Sequence, residues 1–152
     1  IGGAVVEVLA PCPGPRQDEG ANDNSLVLRI SWRGRSALFV GDLERAGEDH
    51  LLARARAALR AEILKVGHHG SRTSTSRAML AAVSPRHAVV SSGVRNRFGH
   101  PHPITLETLS DARIPLLRTD RGGSIVARTR GELWSVVAAD PHDLVPGDVP
   151  SR

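Results

Sequence analysis

Residues 25–42, SLVLRISWRGRSALFVGD, decide the fold. Leu26, Leu28 and Ile30 alternate with Val27, Arg29 and Ser31, the period of a β-strand, and a second run, Arg35 to Val40, follows Arg33-Gly34. This predicts a hairpin closed by a two-residue turn, with Gly41-Asp42 at the end of its second strand. Directly downstream, Leu51, Leu52, Ala55 and Leu59 fall at helical spacing within Leu43 to Leu59. Acidic Glu44, Glu48 and Asp49 come early and arginines late, the order that suits a helix dipole.

Working outward, Ala4 to Leu9 reads as a strand that stops at Pro11, Pro13, Gly14 and Pro15, and a loop then runs to Asn24. Toward the carboxy terminus, strands are predicted at Ile63 to Val66, His87 to Ser91 and Leu116 to Arg118, with helices at Ser76 to Val83 and Pro103 to Asp111. Two last strands, Ser124 to Arg130 and Glu132 to Val137, join through Gly131. Strands alternating with helices after a hairpin describe an α/β fold, a mixed sheet with covering helices. Residues 1–139 read as one domain and residues 140–152, with three prolines, as a flexible tail.

Composition excludes several classes of function. With 40% hydrophobic and 24% charged residues the chain is globular, and with 3% aromatics its core is aliphatic, which argues against base stacking as a primary mode of binding. The net charge of +4 rests on arginine, because Lys65 is the sole lysine. It favours polyanionic partners, although a general preference for arginine would give the same balance. Cys12 stands alone between prolines, so a disulfide framework and a cysteine-based zinc knuckle are excluded and any metal must use histidine and carboxylate. No apolar run reaches the roughly 18 residues of a membrane span. The opening Ile1-Gly2-Gly3 reads as the edge of a piece of something longer.

Three strand ends carry donors. Asp42 follows the strand ending at Val40, where a carboxylate can project from the sheet's end toward a metal or cap the next helix. His68-His69 follow the strand ending at Val66 and are bracketed by Gly67 and Gly70. One imidazole of such a pair can ligate while the other moves a proton. His100-Pro101-His102-Pro103 opens a helix, its imidazoles held by flanking prolines, with loop rigidity and N-capping as the simpler readings. Oxygen and imidazole donors without cysteine suit zinc or manganese.

Taken in order, Asn22 to Leu28, Phe39 to Glu44, Ile63 to Ser71, Gly99 to Pro103 and Leu117 to Gly123 resemble the successive motifs of the carboxy-terminal metallo-β-lactamase-like domain of ComEC-type competence membrane proteins. The similarity is collinear over about residues 4 to 130. It implies the second half of an αββα sandwich and a nuclease domain outside the bacterial cytoplasm that degrades one DNA strand while the other crosses a membrane channel. It also implies Asp42 as bridging carboxylate and His68 as later metal ligand, His69 as ligating or proton-donating neighbour, and His100 and His102 as assisting near the site. Which of His68 and His69 ligates stays open. Asn24, Ser25 and Ser71 would organise loops, and Arg72, Arg95 and Arg97 would contact the DNA backbone without reading sequence.

The first half of that domain, with its His- and Asp-rich metal loop, has no counterpart here, so a two-ion site would need the missing amino-terminal half. The segment alone is therefore expected to be inactive. Two alternatives remain: hydrolysis of another ester or lactone on the same fold, and a catalytically incomplete DNA-holding remnant.

Overall fold

A computed structural model describes residues 2–11, 13–18 and 20–139. The expected hairpin forms within an antiparallel meander of β1 (Val5–Ala10), β2 (Val27–Trp32) and β3 (Arg35–Phe39). Arg33 and Gly34 make its turn with φ of 47° and 77°, the paired positive values that a two-residue hairpin turn requires. The chain continues through α1 (Arg45–Ala55), a 3₁₀ turn (Arg56–Leu59) and β4 (Ile63–Lys65), then α2 (Arg77–Val83) and β5 (His87–Val90). After these come α3 (Pro103–Asp111), β6 (Leu116–Arg118), the short α4 (Thr119–Gly122), β7 (Ser124–Thr129) and β8 (Trp134–Ala139).

The six-stranded sheet runs β1-β2-β3-β4-β5-β6, antiparallel as far as β3 and parallel from there. It is the mixed sheet with helices that the sequence predicts, consistent with a metallo-β-lactamase-like fold. Among the described residues the last two strands pair only with each other. Their hairpin is tied to the sheet through Trp134, whose indole N–H donates to Glu62 at 3.1 Å. Its turn, residues 130–133, contains Gly131 as expected, and β8 starts two residues later than alternation suggests.

Side-chain alternation gives the sheet two unlike faces. On one, Val27, Leu38, Leu64, Ala88 and Val90 are buried against Leu51 of α1, Met79, Leu80 and Val83 of α2 and Leu109 of α3. The other carries Val6, Val8 and Phe39 exposed, with Leu28, Ile30 and Val89 half-buried. The parallel order β3-β4-β5 sets the carboxyl ends of three strands side by side, so the loops after Phe39, Lys65 and Val90 share one rim. The α1 helix is shorter than its apolar spacing suggests, because its last four residues tighten into 3₁₀ geometry. Among the described residues no helix is long and apolar enough to cross a membrane. The expected tail, 140–152, and Cys12 lie outside the described residues.

Candidate metal centre

Asp42 is positioned by its neighbours rather than by a helix. Gly41 has φ of 56°, and a Cβ there would sit 2.8 Å from that of Ser25, so only glycine allows β3 to end so close to residue 25. The Asp42 amide donates to Ser25 Oγ at 3.0 Å. The capping alternative for Asp42 is filled from elsewhere: Asp23 Oδ1 accepts from the amides of Glu44 (3.0 Å) and Gly47 (2.8 Å) at the start of α1. The carboxylate of Asp42 is thereby left to the rim. Asn24 holds the preceding loop, its side-chain amide donating to the carbonyls of Arg16 and Gly20.

The two histidines occupy a 3₁₀ turn (Gly67–Gly70) in which both adopt left-handed backbone, φ of 44° for His68 and 55° for His69. Such geometry costs about 1–2 kcal/mol per non-glycine residue, and a set of buried hydroxyls offsets it. Gly67 donates to Thr75 Oγ1 at 3.1 Å, Ser74 Oγ donates to the Gly67 carbonyl at 2.7 Å, and Thr105 Oγ1 donates to the Ser71 carbonyl at 2.8 Å. Beneath them the buried Glu48 accepts from the amides of Thr75 and Ser76. Burial raises the Glu48 carboxyl above the usual carboxylate range, against the pull of these bonds. Ser71 Oγ and Thr73 Oγ1 lie 2.9 Å apart.

Successive left-handed residues send the imidazoles apart. His69 Nδ1 lies 2.6 Å from the carbonyl of Ser91 at the end of β5, and its Nε2 lies 3.6 Å from Asp42 Oδ1. His68 Nδ1 lies 3.0 Å from Glu44 Oε1, which also accepts from Thr73 Oγ1 at 2.8 Å. The His68 and His100 rings sit edge to face with centroids 5.6 Å apart. Burial, reinforced by the surrounding imidazoles, pushes His100 below the usual histidine range. Lys65 is also lowered by burial, with Asp42 acting in the opposite sense.

His102 does something different. Its Nδ1 accepts from the Ile104 amide at 3.3 Å and caps α3, the simpler of the readings that its proline-flanked motif allowed. Its own amide donates to the Gly70 carbonyl at 2.8 Å, and a Cβ on Gly70 would come within 2.6 Å of that of Pro101. Arg95 and Arg97 lie exposed on the loop before His100, whereas Arg72 borders a separate cleft with Arg45 and Arg77. Sequence reasoning missed Glu44, Glu48, Thr73, Thr75 and Asn96. Only Glu44 carried a signal, two residues beyond Asp42, and it read equally as a helix-dipole acid. Among the described residues no three of His, Cys, Asp or Glu converge tightly enough to hold a metal ion unaided.

The family model described as "Metallo-beta-lactamase superfamily" matches residues 6–94. The chain is 36% identical to ComE operon protein 3 of Bacillus subtilis over 90% of its own length and 17% of that protein's. It is 40% identical to competence protein ComA of Neisseria gonorrhoeae, over 74% of this chain and 16% of the relative. It is 35% identical to recombination protein 2 of Haemophilus influenzae, over 68% of this chain and 13% of the relative. The resemblance seen in the motifs is thus carried by most of the chain, which spans a small part of the curated relatives it matches.

Proposed function

This chain belongs to the metallo-β-lactamase superfamily, matched from residue 6 to residue 94, and from that premise we propose that it supplies half of a divalent-metal hydrolase site that cleaves DNA during uptake. One observation carries the reading. The Ser91 carbonyl can only accept, so His69 Nδ1 must hold the proton, and in neutral histidine Nε2 is then a lone pair facing a carboxylate oxygen 3.6 Å away. In the neutral ring two acceptors thus face each other, an arrangement that a metal ion between them would satisfy. Anchoring the remote ring N–H on a carbonyl is also how metal-binding histidines are oriented.

Asp42 and His69 would therefore hold the ion, which makes His69 rather than His68 the ligand. The remaining ligands, and a second ion, would come with the amino-terminal half of the domain. A divalent ion bound there, zinc or manganese by donor type, supplies Lewis acidity toward a phosphodiester. His68, its Nδ1–H fixed on Glu44, offers Nε2 as a proton acceptor, and the Glu44 charge stabilises the imidazolium that results. His100, whose burial favours the uncharged ring, can accept or donate one hydrogen bond beside the ion. The likeness to a protein named for competence supports uptake as the setting, and the motif resemblance adds DNA as substrate, a membrane channel as partner and a place outside the cytoplasm. Arginine supplies backbone contacts that do not read sequence.

The test uses the full-length protein that carries this chain. Asp42→Ala and His69→Ala should each lose bound metal and at least about 100-fold in cleavage, while His68→Ala keeps its metal and loses cleavage. Undiminished cleavage in Asp42→Ala sinks the proposal.

A further inference from the structure

We propose that Phe98 is a stacking platform for one unpaired nucleobase, and that its loop thereby seats single-stranded DNA beside Asp42 and His69. The inference rests on the hydrolase reading and adds to it the form of the substrate and a binding residue that the family resemblance does not include.

Phe98 is 68% exposed and Val94 76%, in a chain with only two phenylalanines. The exposure is built in. Asn96 closes the loop by donating to the carbonyls of Gly93 (2.9 Å) and His100 (2.6 Å) and accepting from the His100 amide (2.9 Å), so the ring is held out. The His100 ring lies 6.0 Å away, tilted by 30°, and the Arg97 guanidinium 5.3 Å from the Phe98 ring's centroid. A shallow cleft of about 200 Å³ leads from Phe98 past Asn96 and His100 to His69.

The charge around the ring selects the occupant. Arg97 lies over the ring and Arg95 is exposed on the same loop, and among the described residues the structure shows no ion pair to a carboxylate for either. A polyanion with flat apolar groups matches an exposed aromatic ring accompanied by guanidinium, and a base stacked on one aromatic contributes about 1–3 kcal/mol whatever its identity. In a duplex both faces of each base are already covered, so the platform favours a single strand. With a base on Phe98, the adjoining phosphate falls along the cleft toward His69.

Binding is measured on the full-length protein in chelator, which separates it from cleavage, with a labelled oligothymidylate and an abasic oligonucleotide of equal length. The wild type should bind the first roughly fivefold more tightly or better. Phe98→Ala should remove that gap and Phe98→Trp keep it. Arg95→Ala and Arg97→Ala should weaken both ligands and each lower the salt slope by about 1. Equal affinities in the wild type, or a gap indifferent to Phe98→Ala, overturn the proposal. So does a Phe98→Ala defect confined to association with another protein, which would make the loop a protein-docking edge. A Phe98-dependent gap in a protein that cleaves nothing when metal is restored supports the platform and refutes the hydrolase reading alone.

Discussion

The two histidine-bearing loops solve opposite problems. The Gly67–Gly70 turn holds two strained residues over a buried floor of Ser74, Thr75, Thr105 and Glu48, all 3% exposed or less. The loop from Ser92 to His100 lies largely in solvent, pinned at its start by Thr119 and closed by the side chain of Asn96. The first fixes imidazoles, as metal ligation demands. The second presents an aromatic ring and arginines, as contact with a mobile polymer demands. Placement and presentation are thus divided between neighbouring loops of one rim.

The largest effect that could break this contrast lies under the inner loop. Glu48→Ala leaves two buried amides without acceptors and should cost about 2–5 kcal/mol in urea denaturation. The same site gives a pH dependence. The folded carboxyl of Glu48 is raised above its unfolded value of 4.5, so its contribution is fully present below that pH and is lost as pH climbs through the raised value. The stability of the wild type relative to Glu48→Gln should therefore be greatest in acid and shrink toward neutrality, and a gap that widens with pH contradicts the assignment.

Next in size, Thr75→Val strips the acceptor from the Gly67 amide. It should cost about 1–3 kcal/mol and weaken metal binding about tenfold by calorimetric titration. In the outer loop Asn96→Ala should cost only about 1 kcal/mol yet speed hydrogen exchange at the His100 amide. A larger penalty there would mean that the outer loop is braced like the inner one. Smallest of all, His102→Ser should stay within about 0.5 kcal/mol, because serine caps helices at least as well, and cleavage should be unchanged. A tenfold loss of cleavage would return His102 to the chemistry.

What the sequence discloses follows from how local each cause is. The hairpin at Arg33-Gly34, the proline-initiated α3 and the short β6 are set by neighbours in sequence, and all three form where expected. The helix expected from Leu43 starts at Arg45, because Asp23, across the chain, captures the amides of Glu44 and Gly47. The short α4, Thr119–Gly122, carries no periodicity at its length and was not anticipated. At the site, motif order points to Asp42, His68 and His69, each just beyond a strand end, and to His100, which lies shortly before α3. The facing of the two imidazoles is another matter. It depends on consecutive positive φ values and on partners at Ser91 and Glu44, each more than twenty residues away in sequence.

The contact of Gly70 with Pro101, sealed by the His102 amide on the Gly70 carbonyl, makes the two loops a caliper with a fixed gap. Whatever seats itself on the outer jaw is measured from the inner one. A residue inserted into either arm would move the ring and the imidazoles out of step, so the spacing between them is set as a unit.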